Sequence, residues 1–464
     1  MLGGRTNHWG RISLRMGPDD FRRRSLDGLG DDWPITYDDI KPYYDKLDRL
    51  VGIFGSMEDL PNEPDGVFQP PPKPRCYELL IKQAADKLNI TCIRQSPVDP
   101  HAAAERPAGV PLLRAVRPRL RDALELLVAV GAAAAGARDR QAAHHHQRDG
   151  ARGADRRERP GDRRVVREPR PIAATTPCAP ASSCWRRARA RSARLLLNSK
   201  SGRFPDGLAN SSGVVGRYLT DSTGLAVSGH IPKMEHGVPH NEDGAGGAHL
   251  YMPWWLDNKK LDFPRGYHIE LGGGQRSAPG FGFMGGIQRF NGVGGYGKSL
   301  KDDYRRFYGA TVNFAGRGEM IPNDDTYCEI DPNVVDTYGI PVLRFHAQFS
   351  EHEVNQAKHM QETFREIIHE MGGTPLSPMP TREAAYGLEP VGRIIHEVGT
   401  TRMGNDPQTS VLNANCQAHD VKNLFVADAG PFVSNAHKNC TWTILALAMR
   451  TSGVHRAAAQ SGTL

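Results

Sequence analysis

The sequence predicts an α/β chain, α+β overall, on three observations. From about residue 206 to 345 it is Gly-rich and carries short β-type runs divided by turn residues, as in an antiparallel sheet. These runs are Gly224-Leu225-Ala226-Val227-Ser228, Tyr267-His268-Ile269-Glu270-Leu271, Gly309-Ala310-Thr311-Val312-Asn313-Phe314 and Val342-Leu343-Arg344-Phe345. A helix with one apolar face follows. Beyond Arg393 come a Gly/Thr-rich bend, a short apolar strand and an apolar helix, the kind of succession an open α/β layer uses.

The chain begins Met1-Leu2-Gly3-Gly4-Arg5-Thr6-Asn7-His8-Trp9-Gly10-Arg11. A Gly-Gly pair followed by polar and aromatic residues reads as a tight loop that presents backbone to a ligand. Thr36-Tyr37-Asp38-Asp39 then opens a helix with an acidic, capping-box-like start, and Ile40, Tyr43, Tyr44, Leu47, Leu50 and Val51 recur at helical spacing. Pro61 to Pro74 is a Pro-rich loop, and residues 77–89 predict a second helix. After the sheet region, Ser350 caps a helix with Glu353 three residues on. Val354, Ala357, Met360, Phe364, Ile367, Ile368 and Met371 line one face, and Gly372-Gly373 ends it. His352, His359 and His369 on this helix are expected to face solvent. The aromatic residues Trp254, Trp255, Tyr267, Phe281 and Phe283 read as core before they read as a sugar platform.

Three blocks at the C-terminal end carry the chemistry. Arg393-Ile394-Ile395-His396-Glu397-Val398-Gly399-Thr400-Thr401 puts a histidine just before a bend. Leu424-Phe425-Val426-Ala427 reads as a short buried strand that ends on Asp428-Ala429-Gly430. His437-Lys438-Asn439-Cys440-Thr441 stands immediately before the apolar helix Ile444-Leu445-Ala446-Leu447-Ala448-Met449. In open α/β folds ligands sit at the carboxyl ends of strands and at helix N-termini, where N–H groups point outward. Asp428 and the helix start near Thr441 fit that description. His396 and Asn439 could then meet over whatever lies there.

The order and spacing of these blocks resemble the C-terminal signature of the glucose–methanol–choline (GMC) oxidoreductases, FAD enzymes that oxidise alcohols and sugars. The resemblance implies that His396 is the catalytic base and Asn439 its partner, with His437 the alternative for the second position. It implies that Asp428 and Ala429 contact the ribityl–pyrophosphate region of FAD, with Asn439 and Thr441 also at the cofactor. Gly3, Gly4, Thr6, Asn7, His8 and Trp9 would form a loop against the flavin ring. His8 matches the position that carries covalent FAD in the pyranose-oxidase branch, while many members with a similar loop bind FAD non-covalently. Trp33-Pro34-Ile35 through Pro42-Tyr43-Tyr44 is similar to bacterial GMC sugar dehydrogenases.

The implied reaction is hydride transfer from a carbinol carbon to flavin N5. His396 would accept the hydroxyl proton, and Asn439 would donate a hydrogen bond to the same oxygen. The implied partners are a sugar, polyol or alcohol substrate and an electron acceptor: oxygen, a quinone, a cytochrome or an acceptor subunit. A bacterial dehydrogenase, in cytoplasm or periplasm, is favoured over an oxidase. An enzyme of this kind needs a strand, then G-x-G-x-x-G opening a helix. Gly272-Gly273-Gly274-Gln275, Gly285-Gly286 and Gly292–Gly297 read as loops instead. The expectation is therefore a chain truncated at its start by one nucleotide-binding βαβ unit. Its parts would be an incomplete Rossmann-like FAD-binding domain over 1–100, returning at 192–230 and 386–464, and an antiparallel-sheet substrate domain over 231–385.

Residues 101–191 fit neither. The stretch 101–194 holds 23 Ala and 21 Arg, no Lys, Asn, Phe, Tyr or Met, and nine acidic residues. The absent types have AT-rich codons and the abundant ones GC-rich codons, so a GC-rich gene read out of frame explains the segment better than a basic disordered linker does. On that reading the polypeptide could also be a non-catalytic fragment that binds no FAD. The same stretch alone exceeds the whole formal charge of +7, which removes the case for a nucleic-acid partner. His144-His145-His146 lies within it, so no metal is expected. Seven cysteines without C-x-x-C spacing make neither a disulfide scaffold nor a zinc site. No apolar run approaches the length of a membrane span, and no G-x-S-x-G elbow is present.

Overall fold

A computed structural model of the chain describes residues 9–94, 190–237, 248–253, 261–274 and 296–462. The loop residues Gly3, Gly4, Thr6, Asn7 and His8, the Arg/Ala-rich stretch up to 189, and Trp254, Trp255, Phe281 and Phe283 lie outside the described residues.

Two hydrophobic cores organise the described chain. In the first, the short helix α1 (Arg23–Asp27) leads to α2 (Tyr37–Val51). Thr36 and Asp39 close the start of α2 as the capping box requires, with Thr36 N donating to Asp39 Oδ2 at 2.8 Å. Tyr37, Ile40, Tyr44 and Leu47 form its buried stripe, whereas Leu50 falls beside that stripe and is exposed. Strands β1 (Ile53–Phe54) and β2 (Phe68–Gln69) pair in parallel, the second inside the Pro-rich loop.

The second core lies between a six-stranded antiparallel sheet and two helices. Its strands are β3 (Ile93–Arg94), β4 (Ser222–His230), β5 (Leu250–Met252), β6 (Tyr267–Gly273), β7 (Thr311–Glu319) and β10 (Thr374–Pro375), in the order β10-β4-β7-β6-β5-β3. Helices α3 (Cys76–Lys87) and α6 (Glu351–Glu370) contribute to this core, and α6 packs directly against β4 and β7. Alternation along the strands divides the sheet into two faces. Leu225, Val227, Tyr267, Ile269, Leu271, Val312 and Phe314 belong to the core shared with α6. Ser222, His268, Glu270 and Arg317 take the opposite phase and face the C-terminal segment. The remaining elements are α4 (Arg191–Asn198), α5 (Gly297–Phe307), the hairpin β8 (Tyr327–Val335) with β9 (Pro341–His346), and α7 (Thr441–Gln460), which packs on α2.

Helix α6 begins as its sequence dictates: Ser350 Oγ accepts from His352 N at 3.2 Å, and Glu353 Oε2 accepts from Ser350 N at 2.7 Å. It ends before Gly372, whose φ is +74°. His352 and His369 are exposed, but His359 is not the solvent-facing residue expected. It is half-buried, with Nδ1 at 2.9 Å from Tyr267 Oη, and burial lowers its pKa. Leu424–Ala427 is also corrected. Leu424, Phe425 and Val426 are buried, but among the described residues the segment forms an isolated bridge, Gln417 with Phe425, in place of a strand. Gly272 and Gly273 end β6 rather than lying in a loop. Among the described residues no helix is long and apolar enough to cross a membrane, and no cluster of His, Cys, Asp or Glu is placed to hold a metal.

Phe364 is wholly buried between α6 and the sheet. Phe364→Ala should lower stability by about 3–5 kcal/mol. The exposed Lys358→Ala should change it by no more than about 0.5 kcal/mol. Urea unfolding followed by circular dichroism compares the two, and equal midpoints would show that α6 does not carry this core.

Candidate active site

The site is built where β4 starts. Asp221 is fully buried, and its carboxylate accepts three backbone N–H groups: Ser222 N at 2.9 Å, His396 N at 2.7 Å and Gly392 N at 2.5 Å. Thr220 and Val398 continue the joint as a β-bridge. Residues 392–398 are thereby clamped to the head of the sheet. Burial, and the neighbouring Glu397 carboxyl, push the Asp221 pKa up to about 7 against the pull of the three N–H groups. Gly399 then turns at φ +93°, where a Cβ would lie 2.4 Å from Tyr218 O, so no other residue fits without a shift.

His396 is buried, with Nδ1 at 3.0 Å from Ser222 Oγ and Nε2 at 3.4 Å from Asn439 Nδ2. Asn435 Nδ2 donates to Ser222 Oγ and to the His396 carbonyl, both at 3.1 Å. Asn439 Nδ2 also donates to Glu270 Oε1 at 3.0 Å. Glu270 in turn pairs with Arg317 at 3.1 Å and stands 3.5 Å from His268 Nε2. Burial would raise the Glu270 pKa, but the hydrogen bond from His268, the Arg317 charge and the Asn439 amide outweigh it and hold the carboxyl at about 2.

These bonds orient the histidine. An amide nitrogen against a carboxylate must donate, so Asn439 presents N–H groups to both Glu270 and His396. Nε2 of His396 is then the bare nitrogen, and Nδ1 carries the proton toward Ser222. His437, the other candidate for the second position, points elsewhere. Its Nε2 lies 3.0 Å from Lys438 Nζ and its carbonyl accepts from His268 Nδ1. Burial, with the Lys438, His268 and Arg23 charges, depresses its pKa well below the usual range.

The other described sequence-derived positions lie in the C-terminal segment or pack against it. Asp428 Oδ2 accepts from Ser192 Oγ at 2.6 Å, Asp428 Oδ1 accepts from Gly430 N at 2.7 Å, and the buried Ala429 accepts from Gly399 N at 3.1 Å. This sets the Asp428-Ala429 step beside the bend that follows His396. Thr441 opens α7, a buried helix start whose N-cap residue Cys440 makes no side-chain capping bond. Trp9 stacks on Trp442, ring centroids 5.6 Å apart, and Trp442 Nε1 donates to Asp48 at 3.1 Å. The N–H groups of a helix start can be satisfied by a ligand, and the positive end of α7 suits the electron-rich carbonyls of a flavin. The buried Asn439 Oδ1, without a partner among the described residues, adds an acceptor. The residues present fit the isoalloxazine end of FAD. Sequence reasoning missed Asp221, Ser222, Asn435, Glu270 and Arg317. Only the His268-x-Glu270 alternation, two polar side chains on one face of an apolar strand, signalled any of them.

Fold and site together define a flavin-dependent oxidoreductase acting on CH–OH groups. Residues 322–448 match the family described as GMC oxidoreductase. A 2-methyl-1,2-propanediol dehydrogenase of Mycolicibacterium austroafricanum is 30% identical over 97% of this chain and 79% of its own length. The fructose dehydrogenase large subunit of Gluconobacter japonicus is 26% identical over 97% of this chain and 79% of its own. The paromamine 6'-oxidase of Streptomyces fradiae is 26% identical over 97% and 77%. Among solved structures, pyridoxine 4-oxidase from Mesorbium loti shares the fold with a TM-score of 0.52 at 14% identity, over 96% of this chain and 82% of that one. The chain belongs to the GMC oxidoreductase family, and its cofactor is FAD.

The raised Asp221 pKa has a consequence for stability. Its protonated form is favoured by the fold, so its contribution is complete below the ordinary carboxylate value of 3.8 and is lost as pH rises through about 7. The thermal midpoint of the wild-type chain should fall over that window more steeply than that of Asp221→Asn. Parallel profiles from scanning fluorimetry would contradict the assignment.

Proposed function

We propose that the chain is a dehydrogenase of polyols or sugars in which His396 takes the hydroxyl proton of the donor. The observation that carries this reading is His396 Nε2 facing Asn439 Nδ2 at 3.4 Å, with the same Nδ2 bonded to Glu270. That contact is long for a hydrogen bond, and a donor hydroxyl can replace it. Its O–H would donate to His396 Nε2, and its oxygen would accept from Asn439 Nδ2. As the carbinol C–H bond breaks, His396 holds the proton and Asn439 stabilises the charge gathering on oxygen. FAD, when bound, supplies the hydride acceptor.

The Asp221 clamp keeps the imidazole from following the donor as it moves. The partly accessible charged pair Glu270 and Arg317 beside Asn439 favours a donor with further hydroxyls over an apolar alcohol. Two of the relatives are named as dehydrogenases, one of a diol and one of a sugar. One of them is named as a large subunit, which supports a further subunit as partner.

His396→Ala should reduce the rate of anaerobic flavin reduction by fructose or 1,2-propanediol by about 10²–10⁴-fold, with FAD content unchanged after purification. Unchanged reduction would remove His396 from this role, and wild-type protein isolated without flavin would contradict the reading as a whole.

A further inference from the structure

We propose that Glu270 is a positioning residue that sets the tautomer of His396 by dictating which end of the Asn439 amide faces it. The inference rests on the reading of His396 as the base. It starts from an asymmetry among the partners of that imidazole. Nδ1 meets Ser222, whose hydroxyl can donate or accept and therefore dictates nothing. Asn435 is itself fixed, because Nδ2 must donate to the His396 carbonyl, and its second N–H goes to Ser222 Oγ. That leaves the hydroxyl proton of Ser222 free to turn either way.

On the Nε2 side the amide of Asn439 is equally ambivalent by itself. Either its nitrogen or its oxygen could face the ring, and each choice imposes the opposite tautomer. The ambiguity ends at Glu270, because one atom of Asn439 touches both Glu270 Oε1, at 3.0 Å, and His396 Nε2, at 3.4 Å. An ionised carboxylate can only accept. The shared atom is therefore Nδ2, and the ring nitrogen it meets must be bare. Turning the amide over would set Asn439 Oδ1 against the carboxylate and require a proton on Nε2, which could then take none from a substrate.

Arg317 and His268 are the groups that keep Glu270 ionised and aimed, the first at 3.1 Å and the second at 3.5 Å. Asp221 accepts from the His396 backbone N–H, Glu397 is the adjacent residue, and His437 is turned to Lys438.

The arrangement predicts that an isosteric change reverses the chain of bonds. In Glu270→Gln, Arg317 would retain the side-chain oxygen and leave the Gln amide nitrogen facing Asn439. Asn439 would turn its oxygen toward the ring, and His396 would carry its proton on Nε2. Long-range proton–nitrogen correlation spectra of the FAD-bound protein labelled with ¹⁵N-histidine read this directly, with His396→Gln identifying the signal. The expected result is a bare Nε2 in the wild type and in Glu270→Asp, and a bare Nδ1 in Glu270→Gln. Alongside it, kcat for Glu270→Gln should fall by about 10²-fold with a much smaller change in KM. A bare Nε2 in Glu270→Gln would overturn the proposal. The spectra decide it even if His396→Ala shows that His396 is not the base, so the two failures are distinguishable.

Discussion

The site depends on one buried carboxylate that makes no contact with the Nδ1 or Nε2 edge of the imidazole. Asp221 collects N–H groups from Ser222, Gly392 and His396, so the head of β4 and the C-terminal segment share one anchor. Without it, residues 392–398 would be joined to the sheet by the Thr220–Val398 bridge and by side-chain bonds of Ser222 and Asn435. With it, a histidine that enters from the C-terminal segment is fixed relative to Glu270 and Arg317, which belong to the sheet. The proposed pair would need its geometry held within about 0.5 Å, and this joint holds its histidine.

A second buried cluster supports the other side of the site. Arg15 and Asp48 pair in the interior, and Asp48 also accepts from Trp442 Nε1 at 3.1 Å and from Val67 N at 2.9 Å. One carboxylate thus ties α2, the Pro-rich loop and the first turn of α7 together. Tyr44 adds a bond from α2 to Thr443 at 2.7 Å. Breaking such a buried pair leaves an uncompensated charge and costs about 3–5 kcal/mol. The start of α7, and Asn439 just before it, are therefore held as firmly as His396.

Legibility in the sequence followed the range of each interaction. The α6 helix was readable to its cap because Ser350, Glu353 and the apolar stripe are local. The β-runs 224–228 and 267–271 were readable because side chains alternate with period two. His396 and Asn439 were singled out together on a resemblance, since motif order is itself a sequence property, and the fold brings them within 3.4 Å. Asp221 and Glu270 were not, because their meaning lies in partners 175 and 169 residues away. His359 was misjudged for the same reason: only the arrival of Tyr267 across the core turns a helix-surface histidine into a bonded one. Leu424–Ala427 had the composition of a strand but lacked a regular neighbour to pair with.

The most direct measurement is a crystal structure of the FAD-bound protein with a non-oxidisable donor analogue, a fluorinated polyol that retains its hydroxyl. The account predicts that this hydroxyl lies between His396 Nε2 and Asn439 Nδ2, within hydrogen-bond distance of both, with Asn439 still bonded to Glu270. A hydroxyl seated against His437, or one that leaves the contact between His396 and Asn439 intact, would contradict it.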